Sequence, residues 1–210
     1  MDAIVTTSLT RRFGEFTAVE DVNLSVAPGQ FYGFLGPNGA GKSTTIKMLT
    51  GLLAPTEGSM QILGLDVATH LVDVKRQIGV VPEGMALFGR LTGSEKLAMA
   101  AAVIHGPKVL FLDEPFEGVD AVASGTLKAM LQRMIARGAT IFLTSHVLEI
   151  VERLCSHVGI INKGRLVAQG SLDELRSGVG GAEGKMSLEE LFLQTVGGPR
   201  NAVQELSWLG

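Results

Sequence analysis

The residues best suited to chemistry lie in one glycine-rich stretch. Residues 36–44 read Gly-Pro-Asn-Gly-Ala-Gly-Lys-Ser-Thr, which fits the phosphate-binding pattern G-x-x-x-x-G-K-[ST]. Glycine tolerates positive φ and close backbone approach, so N–H groups in such a loop can surround a polyphosphate. The lysine of the pattern reaches the outer phosphates, and the hydroxyl after it binds Mg²⁺. The predicted nucleotide site therefore comprises Gly36, Pro37, Asn38, Gly39, Ala40, Gly41, Lys42, Ser43 and Thr44.

A second chemical group follows an apolar run. Residues 109–112 are Val-Leu-Phe-Leu, and Asp113 and Glu114 come directly after them. Such a run predicts a buried parallel strand whose carboxyl end opens on a site. Two adjacent carboxylates are costly there unless a cation offsets them, so we assign Asp113 to Mg²⁺. Glu114 is predicted to face the other way and to orient and deprotonate an attacking water.

The elements that must position these groups can be predicted from the same stretches. Residues 31–35 are apolar and aromatic-rich, and residues 46, 49, 50 and 53 recur at helical spacing. Strand, glycine loop and helix therefore follow in the order that points a helix N-terminus at the phosphates.

Two further strand ends carry polar side chains. Residues 140–144 predict a strand that ends in Ser145 and His146, and we expect His146 to sense the γ-phosphate and hold the water or Glu114. Residues 78–81 predict another strand, after which Glu83 is either a turn carboxylate or a group that reaches the metal or its water.

An aromatic residue precedes the glycine loop. Phe13 falls in residues 9–14, predicted as a polar loop between strands at 4–7 and 22–26. Its ring can stack on a nucleotide base or pack against the domain. Both interpretations remain open from the residues alone.

Composition limits the function classes. The chain has 210 residues, 46% of them apolar, with a net charge of −3. A basic surface for nucleic acid is not expected. Cys155 is the only cysteine, so no internal disulfide can form and a reducing compartment is expected. No apolar run approaches the roughly 18 residues of a membrane span, and no secretory signal is expected.

Taken together, these motifs resemble the nucleotide-binding domain of ATP-binding-cassette (ABC) transporters. The resemblance rests on residues 36–44, 112–115, 118–120 and 144–146, in that order, and runs from Thr6 to about Arg176. It implies an α/β P-loop fold: a mixed sheet with parallel core strands flanked by helices, plus an antiparallel N-terminal β part. Residues 158–165 and 168–171 are similar to the hairpin that closes such domains.

The resemblance also implies residue roles. Phe13 is implied as the aromatic that stacks on adenine, and Asp120 as the acid of a loop that meets the partner subunit. Glu83 falls where many members have a glutamine that contacts Mg²⁺ and relays to the membrane subunits. A glutamate there is similar to some export-type members.

One departure from the family pattern matters for activity. A Leu-Ser-Gly-Gly-Gln-like signature and its helical subdomain are missing, as if excised near residues 94–96. Residues 92–95 form a capping-box pattern and good helix formers follow, so one fused helix is expected there. The predicted organisation is a domain at 1–177, a Gly-rich linker at 178–186, and a C-terminal helix and tail at 187–210.

The expected function is the ATP-binding subunit of an export-type ABC transporter. The resemblance implies ATP and Mg²⁺ as cofactors, transmembrane permease subunits and a second nucleotide-binding domain as partners, and a peripheral place at the cytoplasmic face of the membrane. Without the signature, hydrolysis is expected to be low or lost. The alternatives are a hydrolysis-deficient regulatory ATP-binding module and a nucleic-acid-linked ABC ATPase.

Overall fold

The structure, a computed structural model, describes residues 1–83, 102–179 and 187–197. Its N-terminal part is an antiparallel sheet with strand order β2-β1-β5-β6, and β3 pairs with β1. The strands of this sheet are β1 (Ile4–Phe13), β2 (Phe16–Val22), β3 (Ser25–Val26), β5 (Glu57–Ile62) and β6 (Leu65–Asp66).

The second sheet has six strands in the order β11-β10-β4-β9-β8-β7. Neighbours from β10 to β7 are parallel, and β11 pairs antiparallel with β10. All residues of β4, β8 and β9 are buried, which explains their unbroken apolar runs. The strands are β4 (Phe31–Leu35), β7 (Ile78–Val81), β8 (Val109–Asp113), β9 (Thr140–Ser145), β10 (His157–Asn162) and β11 (Arg165–Ser171).

Helices connect and cover these strands. They are α1 (Lys42–Leu49), α2 (Leu71–Lys75), α3 (Ala121–Ala136), α4 (Leu148–Leu154), α5 (Leu172–Val179) and α6 (Leu188–Val196). Ala102 and Val103, where the second described range begins, are also helical. In the part of the chain that the structure describes, no helix is long and apolar enough to cross a bilayer.

The core lies on both faces of the six-stranded sheet. Because successive strand residues point to opposite faces, Phe111 packs in one apolar cluster and its neighbour Leu112 in the other. Tyr32 stacks on Phe142 with ring centres 5.4 Å apart. The Tyr32 hydroxyl donates to Gln169 Oε1 at 2.9 Å, so the only polar atom of this buried ring has a partner.

The predicted fold class is confirmed, with two local corrections. The predicted strand at 22–26 is divided, because β2 ends at Val22 and β3 begins at Ser25. Residues 9–13, predicted as a loop, belong to β1. Their polar side chains misled the prediction, since one face of this hairpin is exposed and tolerates them.

Three predictions fall partly or wholly outside the described residues. Helix α5 runs to Val179, so residues 178 and 179 of the predicted linker are helical, and 180–186 lie outside the described residues. The proposed excision at 94–96 and its capping box at 92–95 lie outside them too, as does the tail from 198. The predicted C-terminal helix is present as α6, with Ser187 as its N-cap.

Candidate functional site

The glycine loop joins the end of β4 to the start of α1, as its flanking residues predict. Gly41 has φ 109°, a conformation that side chains rarely adopt. A Cβ atom at Gly41 would lie 2.6 Å from the Ala18 carbonyl oxygen, and one at Gly36 would lie 2.4 Å from that of Ile161. The loop is therefore enclosed by backbone from β2 and β10, and glycine is required by space as well as by φ.

Lys42 is buried at the first position of α1, with 7% of its surface exposed. Its Nζ donates to the Gly36 carbonyl at 2.8 Å and to the Pro37 carbonyl at 3.4 Å. The same nitrogen lies 3.4 Å from Glu114 Oε1. The ammonium is thus held inside the loop beside the predicted catalytic carboxylate.

Asp113 and Glu114 lie at the end of β8 and share one hydroxyl partner. Thr144 Oγ1, on the neighbouring strand β9, donates to Asp113 Oδ1 at 2.5 Å. The same oxygen accepts the Glu114 N–H at 3.0 Å. Because Thr144 fixes both residues, the two carboxylates keep a defined orientation at the sheet edge.

Glu114 has φ 48°, which is unusual for a residue with a side chain. Its Oε2 lies 2.9 Å from His146 Nδ1 and 3.3 Å from the His146 N–H. Its Oε1 is buried and has no hydrogen-bond partner among the residues that the structure describes, although Lys42 is near. This orphaned oxygen faces the glycine loop, where it can accept a hydrogen bond from a ligand or its water.

Glu83, at the end of β7, also reaches the loop. Ser43 Oγ donates to Glu83 Oε2 at 3.3 Å. Glu83 and Asp113 together line a groove beside α1. The Ser43 hydroxyl predicted to hold the metal thus contacts Glu83, and Asp113, the predicted carboxylate ligand, lines the same groove as Glu83.

A cavity of about 400 Å³ lies over the glycine loop. Among the described lining residues, three carboxylates, those of Glu83, Glu114 and Glu117, accompany one ammonium, that of Lys42. The described residues that line this phosphate cavity are Phe16, Ala18, Asn38, Gly39, Ala40, Gly41, Lys42, Ser43, Thr44, Glu83, Glu114, Glu117 and His146.

Phe16 and Glu117 are lining residues that the sequence reasoning missed. Phe16 is 63% exposed and lies at the start of β2. Phe13, the aromatic predicted for the base, is 46% exposed and is not among the described lining residues. The signal for Phe16 was the spacing of two phenylalanines around Gly14 and Glu15, which is typical of a hairpin tip.

Asp120 has a clear local function in the structure. It is the N-cap of α3, and its Oδ1 accepts the N–H groups of Val122 and Ala123, each at 2.9 Å. This is the contact expected of an aspartate before a helix. The partner-facing role implied for Asp120 stays a prediction.

The chain is similar to known proteins over most of its length. A family model described as ABC transporter matches residues 19–96, which include the glycine loop. The bacitracin transport ATP-binding protein BcrA of Bacillus licheniformis is 32% identical over 217 residues, covering 82% of this chain and 71% of that protein. The chain therefore belongs to the family of ABC transporter ATP-binding proteins.

Other relatives extend the comparison. The Nod factor export ATP-binding protein I of Ralstonia nicotianae is 33% identical over 213 residues, covering 80% of this chain and 66% of that protein. The probable multidrug ABC transporter ATP-binding protein YbhF of Escherichia coli is 29% identical over 235 residues, covering 90% of this chain. The chain spans 40% of that protein's length.

A solved structure, an ATP-binding subunit of an ABC transporter, has the same fold. It superimposes with a TM-score of 0.80 at 27% identity, covering 92% of this chain and 99% of that one. The parallel core and the antiparallel N-terminal sheet are therefore the fold of this family.

This chain lacks a stretch of positions that one relative contains. The match to the Escherichia coli protein spans 235 positions, whereas 90% of this 210-residue chain is about 189 residues. About 46 aligned positions thus have no counterpart here. The family-model match ends at residue 96, beside the proposed excision.

Proposed function

We propose that this chain is the ATP-binding subunit of an ABC transporter and binds Mg-ATP in the phosphate cavity. The observation that carries the proposal is the convergence on one glycine loop of a buried Lys42, the Asp113–Glu114 strand end and His146. Lys42, Glu114 and His146 line the cavity from different elements, and Asp113 lies in the groove beside α1. An ordinary glycine-rich turn without a binding role would not be expected to have these groups around it.

The donors around the cavity fit a magnesium–nucleotide complex. Loop amides and Lys42 neutralise phosphate charge, while Ser43, Asp113 and Glu83 are oxygen ligands of the kind Mg²⁺ prefers. With three carboxylates against one ammonium, the lining repels a free polyphosphate and favours one that carries a divalent cation. Bound Mg²⁺ would supply charge neutralisation between the phosphates.

Glu114 and His146 are placed to act on a water. Glu114 Oε1 is the free acceptor, and Oε2 is held by His146. An oxygen whose companion is already fixed can take a proton without reorienting the side chain. His146, 43% exposed at its side chain, is open to the cavity and positions the carboxylate.

The names of similar proteins support the partners that we propose for this chain. Proteins with matching sequences are named for multidrug transport, bacitracin transport and Nod factor export. By analogy, we place this chain at the cytoplasmic face of a membrane, beside permease subunits and a second nucleotide-binding domain, with export as the direction. Asp120 and Glu83 are the residues proposed to face those partners.

Hydrolysis is expected to be low or lost, because the signature and helical subdomain have no counterpart in this sequence. Roughly 46 unmatched positions in one relative are consistent with such a loss. This observation favours a second candidate, a regulatory module that binds ATP without turning it over. ATP affinity without turnover, even with an intact partner present, would distinguish that module from a transporter subunit.

Calorimetric titration with Mg-ATP tests the proposal. Saturable binding is expected, and Lys42→Ala should weaken it by at least about tenfold, since a charge-assisted contact of about 1.5–3 kcal/mol is lost. Lys75→Ala, an exposed lysine of α2 outside the described lining of the cavity and of the neighbouring groove, is the control and should bind as the parent does. No heat with the parent chain, or equal binding by Lys42→Ala, would refute the proposal.

A further inference from the structure

A second cavity, of about 460 Å³, opens at the edge of the six-stranded sheet where β8 and β9 begin. The phosphate cavity lies at the opposite edge, where these strands end. Strand β8 has five residues, so a rise of about 3.3 Å per residue puts the two edges roughly 16 Å apart. We call the second cavity the basic groove, after its described charged residues. Its lining includes three cations and three larger apolar side chains: Lys108, Arg133, Arg137, Val103, Met130 and Met134.

One face of α3 and its C-terminal end form a wall of the basic groove. Met130, Arg133, Met134 and Arg137 follow one another at spacings of three and four residues, which places them on the same side of the helix. Met130 and Met134 are partly buried against the apolar cluster that contains Leu112, whereas the two arginines are exposed. This face therefore offers an apolar floor and a charged rim.

Lys108 enters the basic groove from the start of β8. Its backbone N–H donates to the Gln77 carbonyl at 2.8 Å, and its carbonyl accepts the Thr140 N–H at 2.8 Å. Its Nζ donates to Gln77 Oε1 at 3.0 Å. Because both backbone groups and the ammonium are held, the third positive charge has a set position beside the helix.

The side chains of Arg133 and Arg137 have no partner among the residues that the structure describes. The other described arginines each contact a carboxylate, a carbonyl or an aromatic ring: Arg11, Arg12, Arg76, Arg153, Arg165 and Arg176. The described lining of the basic groove contains no carboxylate, although the chain carries a net charge of −3. Like charges four residues apart on a helix repel each other, so an anion between the two guanidinium groups would relieve an existing repulsion.

We propose that the basic groove binds a small amphipathic anion. Its carboxylate or phosphate lies between Arg133 and Arg137, and its apolar part lies on Met130, Met134 and Val103. A guanidinium group presents a planar fork of N–H donors that matches carboxylate and phosphate oxygens. Methionine is flexible and polarizable, so it adapts to an apolar ligand.

The size and place of the basic groove favour a free ligand. Its volume of about 460 Å³ falls within the range of small-molecule sites. A concave cavity suits such a ligand better than it suits the flat surface of a bilayer. The groove shares no described lining residue with the phosphate cavity, so binding there is independent of the proposed function.

Calorimetry on the full chain with octanoate tests this site. Acetate provides the charged head alone and octanol the apolar chain alone. We expect saturable octanoate binding, at least about tenfold tighter than that of either fragment, because octanol lacks the charge-assisted hydrogen bonds and acetate lacks the buried methylene groups. Octanoate should also shift the methyl resonances of Met130 and Met134 in a sample with labelled methionine methyl groups.

A charge swap provides the decisive variant. The double substitution Arg133→Glu/Arg137→Glu should weaken octanoate binding at least about tenfold and create saturable binding of octylammonium, because the rim then has the opposite charge. A folding defect would remove the first ligand without adding the second. Arg153→Glu, an exposed arginine of α4 outside the described lining, is the control and should bind octanoate as the parent does.

Several outcomes would overturn the inference and leave the nucleotide site untouched. They are no saturable octanoate binding by the parent chain, equal affinity for octanol, and shifts confined to methionines other than Met130 and Met134. Flotation with phosphatidylglycerol vesicles, lost in the double variant and without octanoate binding, would assign the groove to a membrane surface instead. A dimer in sedimentation that the double variant dissociates, again without octanoate binding, would assign it to a second copy of the chain.

Discussion

Lys42 hydrogen-bonds to carbonyls of its own loop and lies near Glu114, so its charge is already engaged before any ligand arrives. A phosphate that recruits Lys42 must therefore compete with Gly36, Pro37 and the Glu114 carboxylate. The ligand and Glu114 therefore share one ammonium, and we expect ligand binding to weaken the Lys42–Glu114 pair.

The glycine loop gives a sharp prediction at this scale. Gly41→Ala should destabilise the fold by more than about 2 kcal/mol and abolish Mg-ATP binding, because the new methyl meets the Ala18 carbonyl at a strained φ. Gly39→Ala is the matched control. It also has positive φ, but a Cβ there meets nothing within 4 Å, so about 1–2 kcal/mol is expected from the backbone alone. Urea unfolding measures both, and equal losses would contradict the packing argument.

Most site residues could be predicted because strand ends impose their position. Lys42, Asp113, Glu114 and His146 each follow a buried parallel strand, and the carboxyl ends of such strands meet at one sheet edge. Phe16 was missed because its place depends on hairpin register, which residue types alone do not fix. The side-chain separation of Asp113 and Glu114 was predictable, whereas the positive φ of Glu114 was not.

At the scale of elements, the Glu152 carboxylate links α6 to helices α4 and α5. Glu152 Oε1, on α4, accepts from Arg176 Nη2 of α5 at 2.5 Å and from the Leu188 N–H at the start of α6 at 3.1 Å. Leu188 and Leu191 are buried beneath that contact. Helix α4 begins two residues after His146, so the C-terminal helix packs on an element that leads from the site.

Glu152→Ala should release this attachment. We expect a loss of about 1–3 kcal/mol, since two hydrogen bonds to a charged group disappear and the Arg176 guanidinium loses its partner. Glu149→Ala is the matched control on the same helix. Its ion pair with Arg153 is about 70% exposed on each side and should cost under about 0.5 kcal/mol. Urea unfolding and limited proteolysis near residue 187 compare the two, and similar behaviour would contradict the attachment.

Elements were predicted to different degrees. Strands β4, β7, β8 and β9 lie within one residue of their predicted bounds, because unbroken apolar runs mark them. The N-terminal antiparallel strands were predicted too short or merged. Half of each such strand faces solvent, so polar residues such as Arg11 and Arg12 hide the strand from a pattern based on burial. Pairing with β2, a long-range property, decides their conformation.

At the scale of the whole molecule, the family signature has no counterpart in this sequence. We predict that the chain alone hydrolyses ATP at least about 100-fold more slowly than an intact relative, because transition-state charge is no longer stabilised from a second subunit. Steady-state phosphate release measures this, with Glu114→Gln as the control for contaminating ATPases. Turnover comparable with that of the intact relative, and sensitive to Glu114→Gln, would refute the prediction.

Strand β7 lies at the outer edge of the six-stranded sheet, beside β8 and parallel to it. The stretch that joins them, residues 82–108, contains the proposed excision and still exceeds the dozen or so residues that a parallel crossover requires. Because this connection lies at an edge of the sheet, a segment can be removed from it or added to it without rearranging the buried strands. We therefore expect that the nucleotide-binding loop and the segment that contacts a second cassette can be exchanged separately. Inserting a relative's segment near residues 94–96 would then restore both parts in one chain.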